Sequence, residues 1–247
     1  MFLIPETIIL VVEGIMTETK RTFTLRSILL MVIVVFVIPF LPMIISGVWD
    51  WLEAWTYAII SIFGFILSRA LAARRHPDIL AERSRSIELT DAKPWDKILA
   101  PMLAFGSIAI LVVAGFDKLF GWTSAFSPPI KIASLILILL GFIFGSWALI
   151  ENRFFSGVVR IQTDRGHHVI TTGPYRFIRH PGYGGAFWTY LAMPFLLDSL
   201  WALIPAVLLV FVLVVRTSLE DKTLQTELPG YKEYARITKY RLFPGIW

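Results

Sequence analysis

The chain alternates between long uncharged apolar stretches and shorter charged segments, and this alternation predicts a series of membrane-crossing helices. An α-helix needs about 20 apolar residues to cross about 30 Å of hydrocarbon. Four stretches come close to this length: Ser27–Val48, Ala54–Ser68 together with the neighbouring Arg69, Ile98–Phe116 and Ile132–Ile150. Residues 27–150 are therefore predicted to form four transmembrane helices.

Two further apolar runs follow in the last third of the chain, and each is short for a full crossing. Pro181–Leu197 and Ser199–Val215 are separated only by Asp198, which predicts a tight helical hairpin that crosses the membrane and returns. The predicted total is six crossings. Residues 1–26 precede them, and the apolar start of this segment, Met1–Ile15, lacks the basic residues of a secretory signal. It is therefore predicted to be an interfacial helix.

The composition supports a membrane protein, since 56% of the 247 residues are hydrophobic and the mean hydropathy is +0.70. The charges orient the helices, because cytoplasmic loops hold the excess of lysine and arginine. With the N-terminus inside, 21 of the 23 basic residues fall on the cytoplasmic side, and only Lys118 and Lys131 lie outside. Both termini are therefore predicted to be cytoplasmic. Because the basic residues follow the membrane topology, no nucleic-acid partner is expected.

One polar segment between the apolar regions has the composition of a chemical site. Thr171–Gly185 contains two arginines, a histidine, two tyrosines, two prolines and four glycines. Proline and glycine fix turns that present polar side chains. The predicted topology places this segment on the same membrane face as the tail from Arg216 to Trp247. The two segments are therefore expected to form one site, within a catalytic region that spans residues 151–247.

The tail begins with Arg216 and Glu220, which lie one turn apart on one helix face. Such a pair at a membrane boundary is most often an ordinary surface ion pair. Its placement favours a functional role, because charges this close to hydrocarbon are costly unless they are paired or in use. The partner span also begins with polar residues, Arg179-His180-Pro181.

Three ordered motifs in this region carry a family resemblance. They are Gly173-Pro174-Tyr175, then Arg179-His180-Pro181-Gly182-Tyr183 with Gly185, and, after the hydrophobic hairpin, Glu220-Asp221 followed by Leu224, Tyr231 and Tyr234. From about Gly166 onwards the chain resembles the isoprenylcysteine carboxyl methyltransferases. These belong to a wider group of integral-membrane, S-adenosylmethionine-dependent methyltransferases that includes the phospholipid N-methyltransferases. The paired glutamates of the family appear here as Glu220-Asp221, so Glu220 is taken as the functional member.

The resemblance implies an all-α integral membrane fold. Its cytoplasmic cofactor site would be built from the loop before the last hairpin and from the C-terminal tail. S-adenosylmethionine is the implied cofactor, and the implied acceptor is lipophilic and enters sideways from the lipid bilayer. The residues implied to contact the cofactor are Gly173, Tyr175, His180, Pro181, Tyr183 and Glu220.

The chemistry of methyl transfer narrows the choice of acceptor. A carboxylate is already a nucleophile at neutral pH and needs a fork of hydrogen-bond donors, which Arg179 and Arg216 are predicted to supply. With Glu220 they form the predicted catalytic set. An amine or thiol acceptor would instead need a base. The candidates are His180 and the pair His167-His168, although adjacent histidines in a loop are more often solvated surface.

No metal site is predicted, because the chain has no cysteine and its four histidines lack the spacing of metal ligands. Two other functions compete with methyl transfer as interpretations of the sequence. A membrane reductase of the sterol-reductase type, dependent on NADPH, has a similar C-terminal pattern. A transporter or scaffold would carry charges deep within its spans, and this chain does not. The acceptor stays open among a prenylcysteine carboxylate, another lipid acid, a phospholipid amine and a small thiol, and the sequence indicates no oligomeric state.

Overall fold

The computed structural model describes residues 25–85 and 91–247, and all regular structure in this described part is helical. Its α-helices are α1 (Leu25–Phe36), α2 (Leu41–Ser46), α3 (Leu52–Arg75), α4 (Ile79–Arg85), α5 (Asp96–Phe120), α6 (Pro128–Glu151), α7 (Pro181–Leu196), α8 (Leu203–Glu227) and α9 (Tyr231–Ile237). Short 3₁₀ turns occur at Ile38–Phe40, Thr163–Arg165 and Gly173–Arg176. The predicted interfacial helix, Met1–Ile15, lies outside the described residues.

Four helices, α3, α5, α6 and α8, are 24 or 25 residues long and apolar enough to cross a membrane. They coincide with four of the predicted spans, so the prediction of an all-helical membrane protein is confirmed. The total of six crossings stays a prediction, because the other two predicted spans do not form helices of this length.

Prolines account for both of those shorter elements. The first predicted span, Ser27–Val48, is interrupted between α1 and α2 by a 3₁₀ turn. Pro39 and Pro42 lie at this interruption, where proline lacks the N–H that would continue the helical hydrogen bonds. Helix α7 is 16 residues long and carries Pro194 in its last turn.

The closest helix packing in the described chain joins α6 to α7 and depends on glycine. A Cβ atom added at Gly141 would lie 2.5 Å from the carbonyl oxygen of Gly185, and one added at Gly185 would lie 2.4 Å from the carbonyl oxygen of Gly141. Only the absence of side chains lets the two backbones approach this closely. Gly141, four residues before Gly145 in α6, thus seats a neighbouring helix closely.

The turn between α7 and α8 is held by Asp198, the residue predicted to separate the two arms of the hairpin. Asp198 has a positive φ of 52°. One carboxylate oxygen accepts a hydrogen bond from the backbone N–H of Phe126 at 2.7 Å, and the other pairs with Lys131 at 2.7 Å. Lys131 also contacts Glu53 at 2.6 Å. These contacts tie the hairpin turn to the start of α3 and the start of α6.

Candidate functional site

A cavity of about 590 Å³ lies between the helices near the start of α7 and the end of α8. This volume is within the range of small-molecule sites. One part of the wall is mainly apolar and is formed by Tyr57, Leu103, Ala104, Tyr190, Met193 and Leu213. The other part is polar and comes from the segment 152–183, the end of α8 and α9. The cavity therefore joins a polar chamber to a space between membrane helices.

A buried ion pair between Arg179 and Asp221 links the two polar segments predicted to form the site. The Nε and Nη2 groups of Arg179 donate to the two carboxylate oxygens at 2.7 and 3.0 Å. Its Nη1 group donates to the backbone carbonyls of Thr238 and Lys239 at 2.8 and 2.7 Å. Four hydrogen bonds thus hold this guanidinium in place, and it has little capacity left for a ligand.

Asp221 is fully buried and is shared among several donors. Besides Arg179, it accepts hydrogen bonds from Arg241 at 2.8 Å and from the Tyr231 hydroxyl at 3.2 Å. The Nε2 atom of His180 lies 3.3 Å from the same carboxylate. Asp221 is therefore the centre of a buried network, whereas the sequence analysis set it aside in favour of Glu220.

A second buried pair joins Arg216 to Asp96, the first residue of α5. The Nε and Nη2 groups of Arg216 donate to the carboxylate at 2.6 and 3.0 Å. Its Nη1 group donates to the hydroxyl of Tyr183, and that hydroxyl donates to Glu220 at 2.6 Å. The expected direct pair of Arg216 with Glu220 is thus replaced by a chain of contacts through Tyr183.

Glu220 is the only carboxylate among the described residues that line the cavity. One of its oxygens accepts from Tyr183, and the side chain is half-buried. The same lining contains five arginines: Arg69, Arg83, Arg160, Arg179 and Arg216. Among the described residues of the wall, Glu220 is therefore the only negative side chain for a cationic ligand.

Tyrosines form the aromatic side of the polar chamber. The hydroxyl of Tyr175 accepts a hydrogen bond from Asn152 at 3.1 Å, and Tyr234 donates to the backbone carbonyl of Tyr175 at 2.7 Å. Burial raises the pKa of Tyr175, Tyr231 and Tyr234. All three therefore stay protonated at neutral pH and present neutral rings to the cavity.

The two adjacent histidines also line the cavity, but the environment of His167 makes it a poor base. Its Nδ1 atom accepts a hydrogen bond from the backbone N–H of Gln162 at 3.2 Å. Burial, together with the neighbouring His168 and Arg160, lowers the pKa of His167 to about 4. A group with this pKa is neutral at pH 7, but it binds a proton only weakly.

The structure brings most of the predicted site residues to this cavity. Those on its wall are Tyr175, Arg179, His180, Pro181, Tyr183, Arg216 and Glu220. Gly173 is not on the wall. It has a positive φ of 57°, and a Cβ there would lie 2.8 Å from the side chain of Glu151. It lies in a tight backbone turn against α6, and its assignment to the cofactor contacts stays a prediction.

Arg179 and Arg216, predicted to form one fork of donors for a carboxylate, are both already bound to other side chains in the structure. Each guanidinium already binds a buried aspartate through Nε and Nη2. Asp96 escaped the sequence analysis because its partner Arg216 is 120 residues away. The available signal was a carboxylate two residues before a predicted span, since an unpaired charge at that depth is costly.

Comparison with known proteins agrees with the family resemblance that the motifs in the second half of the chain indicate. A profile of the isoprenylcysteine carboxyl methyltransferase (ICMT) family matches residues 134–226. Two similar relatives are each named probable protein-S-isoprenylcysteine O-methyltransferase, one from Oryza sativa subsp. indica and one from Oryza sativa subsp. japonica. Each is 35% identical to this chain over 57 residues, which cover 23% of this chain and 30% of the relative. The chain thus spans less than a third of the length of these relatives.

The matched residues 134–226 include both aspartate-bound arginines, Tyr183 and Glu220. The resemblance drawn from the ordered motifs is therefore confirmed, because the same region of the chain matches the isoprenylcysteine carboxyl methyltransferase family.

Proposed function

We propose that the protein is an integral-membrane methyltransferase that uses S-adenosylmethionine to methylate the carboxylate of a lipophilic acceptor. The observation that carries the proposal is the cavity itself. It joins a polar chamber, in which Glu220 is the one carboxylate among the described residues, to an apolar space between membrane helices. Most of its polar wall lies in the segment that matches the methyltransferase family.

The residues of the polar chamber fit the chemistry of this cofactor. S-adenosylmethionine carries a sulfonium and an ammonium, for which Glu220 is the matching anion, and an adenine ring, for which aromatic side chains are suitable partners. Tyr175, His180 and Tyr183 lie on the same wall, and Gly182 adds backbone without a side chain. These residues would hold the cofactor.

When bound, the cofactor supplies a methyl group on a positively charged sulfur, and moving that group to a carboxylate oxygen releases no proton. The chain then needs no general base, which agrees with the low pKa of His167, about 4. The remaining tasks of the protein are to hold the acceptor in position and to exclude water. The buried pair of Arg216 and Asp96 supports both tasks, because it fixes Tyr183 against Glu220.

The membrane orientation belongs to the same proposal. The excess of basic residues in the predicted inner loops supports a cytoplasmic location for the polar chamber and both termini. The acceptor then reaches the chamber from the bilayer, through the apolar part of the cavity.

The experiment is methyl transfer by the purified protein in detergent. Radiolabelled S-adenosylmethionine is supplied with N-acetyl-S-farnesylcysteine, a lipophilic carboxylate, and the base-labile methyl ester is counted. We expect label in the ester for the wild type and for Glu227→Gln, a substitution on the same helix at a residue whose carboxylate pairs with Lys93 outside the cavity wall. We expect little label for Glu220→Gln. If reduced nicotinamide raises the melting temperature of the wild type and S-adenosylmethionine does not, the proposal fails and a reductase is favoured.

A further inference from the structure

Two arginines from the first half of the chain, Arg69 on α3 and Arg83 on α4, line the cavity. They lie outside residues 134–226, the segment that matches the methyltransferase family. None of the motifs that suggest a function contains them. The cavity therefore has a cationic region that the family match leaves without a role.

Neither guanidinium forms an ion pair with a carboxylate in the part of the chain that the structure describes. The Nη1 group of Arg69 donates to the hydroxyl of Ser68 at 3.0 Å, and its guanidinium carbon lies 3.7 Å from the centre of the Phe65 ring. The Nη1 group of Arg83 donates to the backbone carbonyl of Phe155 at 3.4 Å. Since an arginine has five N–H donors, both side chains keep donors for a further partner.

The contrast with the other cavity arginines is informative. Arg160, Arg179 and Arg216 each bind at least one carboxylate at 2.9 Å or less. Burial lowers the pKa of Arg83, and the nearby positive charge of Arg216 lowers it further. Positive charges held close together in a protein interior are costly unless an anion joins them.

The neighbouring wall indicates the kind of molecule that would bring this anion. Helix α3 contributes both Arg69 and Tyr57 to the cavity, and 12 residues of helix span roughly 18 Å. The apolar part of the wall that contains Tyr57 also contains Leu103 of α5 and Met193 of α7. An anionic end and an apolar tail, in that order along α3, match this wall.

We propose that Arg69 and Arg83 form a carboxylate-binding subsite for the methyl acceptor, with the hydrocarbon part of the acceptor along the apolar wall. This inference rests on the proposed function, which makes the bound molecule a methyl acceptor. A carboxylate is also present on the methionine portion of S-adenosylmethionine, so the test must separate two sources of the same chemistry.

The test measures binding and needs no turnover. Wild type, Arg69→Gln and Arg83→Gln are purified in detergent and compared with Arg74→Gln, a substitution of an exposed arginine on α3 that does not line the cavity. Scintillation proximity gives Kd for three tritiated probes: N-acetyl-S-farnesylcysteine, its methyl ester and S-adenosylhomocysteine. The two cavity variants are expected to bind the acid at least tenfold more weakly. Their Kd values for the ester and for S-adenosylhomocysteine should stay within twofold of wild type, and Arg74→Gln should leave all three unchanged.

The variant Arg83→Lys is a control for a folding defect, because it keeps the positive charge but loses the bidentate hydrogen-bond geometry of arginine. It should bind the acid with a Kd between those of the wild type and Arg83→Gln. Equal weakening for acid and ester overturns the inference, as does an unchanged Kd for the acid. Weaker binding of S-adenosylhomocysteine alone also overturns it and assigns the pair to the cofactor. The wild type could bind the acid more tightly than the ester and still transfer no methyl group. That result would count against the proposed function but would leave the carboxylate-binding subsite supported.

Discussion

Two buried arginine–aspartate pairs, Arg179 with Asp221 and Arg216 with Asp96, lie beside the same cavity and share one geometry. In each pair the Nε and Nη2 groups donate to the two oxygens of a fully buried carboxylate. They differ in the partner of the remaining Nη1 group. In Arg179 it donates to two backbone carbonyls, whereas in Arg216 it donates to the hydroxyl of Tyr183.

This difference separates a structural role from the role at the ligand that the proposed function gives to Glu220. The pair of Arg179 ends in the backbone of the segment after α9, so it fastens that segment to the start of α7. The pair of Arg216 continues through Tyr183 to Glu220, the only carboxylate on the described cavity wall. Two buried arginines that each bind an aspartate therefore differ in what their Nη1 groups contact.

The largest expected effect compares the two aspartates. Asp221→Asn removes a charge shared by Arg179 and Arg241, and breaking a buried pair of this kind costs about 3–5 kcal/mol. Asp96→Asn leaves a single guanidinium, that of Arg216, without its carboxylate, and should cost less. Thermal unfolding in detergent ranks the two variants. Equal melting temperatures, or the reverse order, would show that the two pairs do not differ as described.

The second-largest expected effect is on methyl transfer. It tests Glu220, the last residue in the series of contacts that begins at Arg216. Glu220→Gln is expected to reduce methyl transfer at least about 100-fold, because under the proposed function it removes a preorganised charge that faces the cofactor. Its melting temperature should stay near that of wild type, since the glutamine still accepts from Tyr183. The matched variant is Glu227→Gln on the same helix, where the carboxylate binds Lys93 at 2.6 Å. A similar loss of activity in both variants would contradict the assignment.

A third and smaller effect tests Tyr183 as the link between Arg216 and Glu220. Tyr183→Phe keeps the ring but removes the hydroxyl, and a buried donor that loses its partner costs about 1–3 kcal/mol. We expect about tenfold slower transfer with a modest fall in melting temperature. Tyr240→Phe is the control, because that ring is more exposed. Transfer at the wild-type rate by Tyr183→Phe would place the function of Glu220 outside this chain of contacts.

The smallest effect is a pH dependence that neither arginine pair explains. His167 has a pKa of about 4, below its ordinary value of 6.5. Since the folded protein resists protonation of His167, stability should fall as the pH drops from about 6.5 towards 4. The melting temperature of His167→Asn should fall less over this interval, whereas the exposed control His168→Asn should follow the wild type. If His167→Asn and the wild type have the same slope, another group is responsible.

The sequence predicted the elements of the site better than their pairing. Tyr183 and Glu220 are 37 residues apart but belong to the two arms of one hairpin, so hydrophobic periodicity and topology were enough to bring them together. The match of Arg216 with Asp96 depends on which face α5 turns towards α8. Apolar helices in a membrane allow many such arrangements, and the pattern of one sequence does not choose among them.

Asp221 shows a different limit of sequence reasoning. The shorter side chain was read as a weak substitute for glutamate, yet its length is suited to a buried position between Arg179 and Arg241. The motif located the acidic pair, but only the packed structure assigns one member to the interior and the other to the cavity.

The glycine contact between α6 and α7 has a consequence for motion. With the backbones of Gly141 and Gly185 in direct contact, these two helices have no side-chain layer between them at this point and can hardly slide past one another there. Under the proposed function, a widening that admits the acceptor would then involve the other helices on the cavity wall, α3, α4, α5 and α8.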